Sequence, residues 1–345
     1  MQALILAGGA GTRLRPLTTS VPKPVLPLAG RPHIAFVIDW LERHGVDEVV
    51  VSCGHLADGV RSALDGLTGP KLDFAEEPDA RGTAGAIRFA EDMLGDRFLV
   101  LNGDVLCDLD LTAQIEQHER TGAAATLALY PVDDPSTYGL VRRTPEGEIT
   151  DFLEKPDPAE IDTDEINAGA YVLEREVLDL IPPDREVSIE REVFPKLVGN
   201  GLYGRRLEGY WIDIGRPDRY LQANWDILER RVETIRSEEL GADGTWIADS
   251  AEVSAEATVN APVFVDEGVE VAAGATVGPR AVLGPGTVVD EGAVIDSSVL
   301  LADCRVGSGA RLRNAILASH VEVAPGAEPE PGSVVGEGGL VGAPA

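Results

Sequence analysis

The chain has 345 residues, 44% of them hydrophobic, and its 59 acidic against 29 basic side chains give a formal charge of -30. That length allows two domains with ample cores, while the charge excludes nucleic acid and anionic membrane as natural partners, since both would repel such a surface. Cys53, Cys107 and Cys304 match neither a disulfide framework nor a zinc site, no apolar run approaches the ~18 residues of a membrane span, and the first apolar run lacks a charged leader and stops at Gly8-Gly9, so a cytoplasmic, soluble protein is expected.

In chain order, Ala3 to Ala7 reads as a buried β-strand bounded by glycines. Gly8, Gly9 and Gly11 let the backbone turn sharply and approach a ligand with unobstructed N–H groups. Arg13, Arg15 and Lys23 follow closely, and backbone donors backed by cations suit a polyphosphate. The plainer alternative is a glycine turn with solvated charges. A Walker A loop is excluded, because Thr12-Arg13 follows Gly11 where Gly-Lys-Ser/Thr is required. A dinucleotide fingerprint fails too, with Leu14 at the place that needs a small residue.

Alternation of helix and strand continues from there. Ile34, Val37, Ile38 and Leu41 predict a helix between Pro32 and Gly45, and a strand follows over Glu48–Ser52. Helices are expected over Leu56–Leu67, Thr83–Leu94 and Leu111–Thr121, with strands over Leu72–Ala75 and Arg97–Leu101. This is the grammar of an α/β domain with a mostly parallel sheet, which binds ligands outside the carboxyl ends of its strands. Gly82-Thr83-Ala84-Gly85 opens a helix; on its own, Thr83 reads best as a cap.

Two aspartates stand out. Asp104 follows the apolar strand Phe98 to Leu101 through Asn102-Gly103, and Asp213 lies among apolar neighbours in Trp211-Ile212-Asp213-Ile214-Gly215. A carboxylate in so apolar a run must be paired or ligate a metal, and two such groups suit a hard divalent ion shared with substrate phosphates. Taken singly, each could equally be a turn or cap residue. Between them, Glu154 can accept from hydroxyls, Lys155 can hold a phosphate and Asn167 can do both; a solvated Glu-Lys-Pro loop is the plainer reading.

The pattern of Leu221, Trp225, Leu228, Val232 and Ile235 predicts one long helix over Arg219–Leu240, closing a domain of residues 1–240. Gly241 to Gly244 is the linker to a second domain, residues 241–345. There Ile247, Val253, Val259, Val265, Val271, Val277, Leu283, Val289, Ile295 and Leu301 recur every sixth residue, each preceded two places earlier by Thr, Ala or Val. This hexapeptide period is the signature of a parallel β-helix. The register is expected to slip at Val306 and to dissolve near Gly336.

Gly8-Gly9-Ala10-Gly11-Thr12-Arg13-Leu14-Arg15-Pro16-Leu17-Thr18 with downstream Pro22-Lys23-Pro24 resembles the signature of the sugar-nucleotide pyrophosphorylases, which are nucleotidyltransferases. Ordered blocks at Glu154-Lys155-Pro156, Ile166-Asn167-Ala168-Gly169 and Trp211 to Gly215 extend the resemblance over about residues 1–230. Asn102 to Val105, Pro135 to Gly139, Ser188 to Pro195 and Gly209 to Gly215 look most like the GDP-mannose pyrophosphorylases. The resemblance implies a Rossmann-like nucleotidyltransferase domain followed by a left-handed parallel β-helix. It also implies conversion of a nucleoside triphosphate and a sugar-1-phosphate to a nucleoside diphosphate sugar and pyrophosphate, with GTP and mannose-1-phosphate foremost and the thymidylyl-, uridylyl- and heptose-phosphate guanylyl-transferring relatives as alternatives. Leu6, Ala7, Gly8, Gly9, Gly11, Thr12, Arg13, Lys23, Glu77, Gly82, Thr83, Asn102 and Asp104 would lie on the nucleotide side. Gly139, Glu154, Lys155, Asn167 and Asp213 would take the sugar phosphate, and Asp104 with Asp213 would hold Mg²⁺ or Mn²⁺. Arg13, Lys23, Asp104, Lys155 and Asp213 are the implied catalytic set.

Rival readings meet specific objections. A non-catalytic, nucleotide-sugar-sensing paralogue would lose charged site residues, and all five of that set are present. An acyltransferase solenoid needs a catalytic histidine, whereas His320 is the sole histidine after His118, with His33, His44 and His55 also in the first domain. The solenoid is therefore read as structural, a mediator of a homodimer or homotrimer.

Overall fold

A computed structural model describes residues 1–54 and 56–342; His55 and residues 343–345 of the expected second domain lie outside it. The described chain divides into two compact units: Met1–Gly9 with Val37–Trp211, and Ala10–Phe36 with the chain from Ile212 onward.

The first unit is built on a nine-stranded sheet. Its strands are β1 (Gln2–Leu6), β2 (Glu48–Cys53), β3 (Lys71–Glu76), β4 (Arg97–Asn102), β5 (Ala125–Pro131), β6 (Gly139–Arg143), β7 (Ile149–Glu154), β8 (Glu165–Glu174) and β9 (Leu202–Arg206). The order β7-β6-β8-β4-β1-β2-β3 puts the glycine-terminated first strand inside the sheet. There it pairs in parallel with β2 and β4, Leu4 lying opposite both Val50 and Val100. β3 extends the parallel group beyond β2, and β5 pairs in parallel with β9. The expected parallel sheet thus forms its centre, and β8 adds an antiparallel arm by pairing with β4, β5 and β6.

Leu4, Val50, Phe98, Val100, Leu127 and Tyr171 share one core cluster, each shielded from water. Phe194 packs edge-on against Tyr171 at 5.0 Å and Phe152 at 5.4 Å, adding directional contacts to area burial. The helices are α1 (His33–Arg43), α2 (Ala57–Leu64), α3 (Gly82–Phe89) and α4 (Leu111–Thr121). The helix expected to run to Leu94 ends at Phe89 and gives way to a 3₁₀ turn over Glu91–Met93. α4 has the expected bounds, because Asp110 caps its start by accepting from Ala113 N and Gly122, at φ +60°, takes the left-handed turn that ends it.

His118 of α4 is wholly buried. Its Nε2 lies 3.0 Å from Glu174 Oε1 and its Nδ1 2.9 Å from the Thr126 hydroxyl. A carboxylate only accepts, so Nε2 carries the proton and Nδ1 accepts from Thr126.

In the second unit, one long helix was expected over Arg219–Leu240 and two short ones are found: α5 (Pro217–Leu228) and α6 (Ile235–Glu239). Arg230 adopts φ +56°, which a continuing helix forbids. Thr234 and Ser237 then restart the chain with reciprocal bonds, Ser237 N to Thr234 Oγ1 at 3.0 Å and Thr234 N to Ser237 Oγ at 2.8 Å. Val232 continued the apolar rhythm because it is buried in the connection.

From Trp246 the chain winds through three sheets whose pairings are all parallel, as expected of a left-handed β-helix. Val265, Val271, Val277, Leu283, Val289 and Ile295 fill its interior. Two details of register differ from expectation. Leu283 pairs with Leu300, so Leu300 and not Leu301 points inward, and the slip occurs in the corner after Ile295. That corner is tightened by Ser297 at φ +49° and by the buried Ser298 hydroxyl, which donates to Asp296 O and accepts from Ala315 N. The repeat also persists through Gly336, with Val334–Val335 before it and Leu340–Val341 after it adding strands to two of the sheets.

Strand alternation gives one sheet a second apolar stripe on its outer face: Phe264, Val282, Val299 and Ile316, all buried though outside the solenoid interior. Each such side chain stabilises by about 1.5–3 kcal/mol when fully covered. His320 is in an exposed corner at φ +60°, its Nδ1 3.7 Å from Asp303 Oδ2. Among the described residues no helix is long and apolar enough to cross a membrane.

Burial holds the His118 imidazole below the ordinary histidine value, opposed by Glu174. Unfolded chains then bind a proton that the folded chain refuses, so stability must fall as pH drops from the ordinary histidine value toward the depressed one. Urea midpoints between about pH 7 and pH 5 are expected to decline less steeply in His118→Gln than in the parent; equal slopes contradict this.

Candidate functional site

In the first unit the parallel strands deliver their carboxyl ends side by side. β1 ends at Leu6, Ala7 N donates to Ser52 O at 2.8 Å, and Gly103 N donates to Leu6 O at 3.0 Å. A Cβ on Gly103 would lie 2.6 Å from Leu6 O, so the turn carrying Asp104 is pressed directly onto the first strand. Gly8 faces Glu77, whose Oε1 would be 3.4 Å from a Gly8 Cβ. Ser52 Oγ donates to that same oxygen at 2.5 Å, while burial raises the Glu77 carboxyl above the usual range against the pull of Ser52 and Arg81. Leu6, Ala7, Gly8, Glu77, Asn102 and Asp104 therefore gather at one sheet edge.

Gly82 and Thr83 are used differently from a simple cap. Gly82 adopts φ +69°, and a Cβ there would meet Val187 O at 2.6 Å. Ala84 N donates to Val187 O at 2.9 Å, and Thr83 Oγ1 accepts from Ile189 N while donating to Glu190 Oε2, both at 2.8 Å. The small residues thus let the Val187 backbone approach, and Thr83 locks the start of α3 to Glu190.

Glu190, given no role in the sequence reading, stands close enough to Glu154 and Tyr171 to act on both. Burial raises Glu154, and the neighbouring Glu190 raises it further, against Lys155 and Arg191. Tyr171 is pushed well above its usual value by burial first, then by the charges of Glu190, Glu154 and Asp104. Asn167 Nδ2 donates to the Tyr171 hydroxyl at 2.9 Å, and its Oδ1 accepts from Gly169 N at 3.0 Å. Gly139 comes so close that a Cβ would sit 3.2 Å from Glu154 Oε2. Lys155 is exposed at φ +54°, its N–H donating to Tyr138 O at 3.0 Å. The signal that could have found Glu190 was its place directly after Ile189 in Ser188-Ile189-Glu190-Arg191-Glu192-Val193, an acid next to a buried aliphatic.

The cationic loop belongs to the second unit. Gly11, at φ +57°, starts a short turn over Thr12–Leu14, and its carbonyl accepts from Leu14 N at 2.9 Å and Thr18 Oγ1 at 2.8 Å. Arg13 is largely exposed, Lys23 is buried, and Asp213 lies between these extremes. Arg13 Nη2 is 3.8 Å from Asp213 Oδ2. All three converge on Gly215: a Cβ there would lie 2.8 Å from Arg13 Nη2, 2.8 Å from Asp213 Oδ1 and 3.0 Å from Lys23 Nζ. Gly215 N donates to Asp213 Oδ1 at 2.7 Å. Gly215 is a second residue without a role in the sequence reading; its signal was a glycine two places after an apolar-flanked acid.

Asp213 is thus joined with Arg13 and Lys23, while Asp104 stands with Glu77 and Asn102 in the other unit. Among the described residues no three His, Cys, Asp or Glu side chains cluster as a self-sufficient metal centre. The donor chemistry fits a hard cation whose remaining ligands are water and phosphate oxygens, because Mg²⁺ is ordinarily held by one or two carboxylates plus substrate.

Comparison with known proteins places these features in a family. The nucleotidyl transferase profile matches residues 2–230, and the GMPPB C-terminal domain profile matches residues 246–343. A mannose-1-phosphate guanylyltransferase of Mycobacterium tuberculosis is 38% identical over 269 residues, 73% of this chain and 72% of its own length. A UTP–glucose-1-phosphate uridylyltransferase of Synechocystis is 37% identical over 254 residues, 68% of this chain and 66% of its own length. A mannose-1-phosphate guanyltransferase of Emericella nidulans is 40% identical, the chain spanning 62% of it. Among solved structures, HddC from Yersinia pseudotuberculosis superposes with a TM-score of 0.58 at 31% identity, covering 65% of this chain and 97% of that one. The matched profile, the glycine-rich signature at the end of β1 and these relatives agree, and the chain belongs to the nucleotidyl transferase family.

Proposed function

We propose that the protein transfers a nucleotidyl group from a nucleoside triphosphate to a sugar-1-phosphate, with GTP and mannose-1-phosphate the favoured pair. The observation that carries the reading is the meeting of Arg13, Lys23 and Asp213 over a residue with no side chain. Two cations brought into one space beside an acid suit a polyphosphate. The preference for guanine and mannose is supported by the M. tuberculosis relative and the C-terminal domain match. Glucose-1-phosphate with UTP is a second reading, supported by the comparably similar Synechocystis relative.

An oxygen of the sugar-1-phosphate attacks the α-phosphorus; the bond from that phosphorus to the β-phosphate bridging oxygen breaks, and pyrophosphate leaves with the electron pair. The attacking oxygen is already anionic, so neither a serine nucleophile nor a strong base is required. Catalysis then rests on orientation and charge neutralisation. Arg13 and the N–H groups around Gly9, Gly11 and Thr12 would hold the triphosphate and the departing pyrophosphate. Lys23, buried, would neutralise charge near the α-phosphorus at low dielectric. Lys155 would fix the attacking phosphate, with Glu154 and Asn167 accepting and donating to sugar hydroxyls. Asp104 and Asp213 would hold Mg²⁺ or Mn²⁺, which when bound supplies positive charge to phosphate oxygens. Homo-oligomerisation through the solenoid is part of this proposal.

Pyrophosphate release from a panel of five nucleoside triphosphates against mannose-, glucose-, glucosamine- and heptose-1-phosphate tests the reading. Fastest turnover is expected with GTP and mannose-1-phosphate; silence with every pair overturns it. Arg13→Ala should lower kcat by about 10²–10³-fold with an unchanged melting temperature. Gly215→Ala should lower kcat/KM at least ~10-fold, because its methyl displaces charged groups that must converge; a fully active, folded Gly215→Ala enzyme would remove that cluster from the mechanism.

A further inference from the structure

The segment bearing Arg13, Arg15 and Lys23 has little structure of its own: three single-turn 3₁₀ pieces over Thr12–Leu14, Leu17–Thr19 and Lys23–Val25. Something outside it must fix the direction of its cations. In the second unit, this segment meets the β-helix at both ends. At one end, a Cβ on Gly30 would lie 2.6 Å from the Phe264 ring, so only hydrogen fits there. At the other, Gly336 directly follows the strand Val334–Val335, and its Cβ would be 3.0 Å from Pro16 Cβ.

Phe264, Val282, Val299, Ile316 and Val334 form one continuous ladder between those contacts. Four steps at strand spacing make a run of roughly 19 Å, which residues 16–30 cross. Along the way Ala29 N donates to Asn224 Oδ1 at 2.9 Å and the Tyr220 hydroxyl donates to Pro27 O, both partners lying on α5. Leu17, Leu26 and Leu28 are buried, so the segment is anchored through its apolar residues while Thr12, Arg13 and Arg15 stay exposed.

We infer that the β-helix is the positioning frame of the cationic loop, with Gly336 and Pro16 as positioning residues that set where Arg13 and Arg15 point. Its effect on turnover rests on the reading above; its effect on the loop does not. Gly336 lacks a positive φ, so a larger residue there is not strained by backbone conformation and acts chiefly through the push on Pro16. Gly336→Val is compared with Arg311→Val, an exposed position on a different sheet of the same solenoid.

Hydrogen exchange of residues 12–19 and steady-state kinetics are measured on the full-length proteins. The inference expects faster exchange across residues 12–19 in Gly336→Val alone. It also expects a rise of about 10-fold in KM for the triphosphate, with KM for the sugar phosphate within about twofold of the parent. If Gly336→Val does not fold, Gly336→Ala should show the same changes in smaller measure. Unchanged exchange, or changed exchange with an unchanged triphosphate KM in an active enzyme, overturns the inference. A parent protein inactive with every pair fails the proposed function instead; the exchange result and the dissociation constant for GTP, expected to rise in Gly336→Val alone, then decide the positioning claim.

Discussion

The chemistry proposed here depends on holding two cations and an acid around one bare stretch of backbone. Arg13 approaches Asp213 at 3.8 Å, longer than a direct hydrogen-bonded pair, and Lys23 completes the group around the bare backbone of Gly215. In a protein of formal charge -30 such a cationic patch is conspicuous. Under the proposed function, a substrate carrying several negative charges would be drawn to it against the surrounding field, which would restrict productive approach to one place. The glycine keeps the space open: a side chain there would press on Arg13, Asp213 and Lys23 together.

Much of the architecture was legible because two periods dominate the sequence. The alternation of apolar strands with helical patterns gave the parallel sheet, and the sixfold aliphatic recurrence gave the solenoid. Misreadings fall where local pattern and tertiary burial diverge. Val232 kept the helical rhythm although it is buried in a connection, so two helices looked like one. Leu300 and Leu301 are adjacent leucines, both buried, and periodicity cannot tell which of such a pair faces inward. The later strands were missed because Glu328-Pro329-Glu330-Pro331 breaks the rhythm without ending the stack.

The candidate site was legible in its charged and glycine residues and less so in what supports them. Arg13, Lys23 and Asp213 are distant in sequence, and their spatial union was implied only by resemblance. Gly215 and Glu190 escaped because their parts are relational: one matters for the atoms it leaves room for, the other for tying Thr83 to the surroundings of Glu154. Thr83 illustrates the same limit. Its hydroxyl serves a distant chain segment, Ile189 and Glu190, so a rule about helix starts could not assign it.

The shortened turn between Leu283 and Leu300 shows where this solenoid can change length. Strand pairing resumes on both sides as though nothing had been removed, Val288 lying opposite Arg305 and Val299 opposite Ile316. Corners therefore absorb insertions and deletions that the rungs cannot, since a slip within a rung would turn aliphatics to water. A change of chain length in such a fold is therefore confined to its edges, where one residue more or less leaves the stacked coils in step.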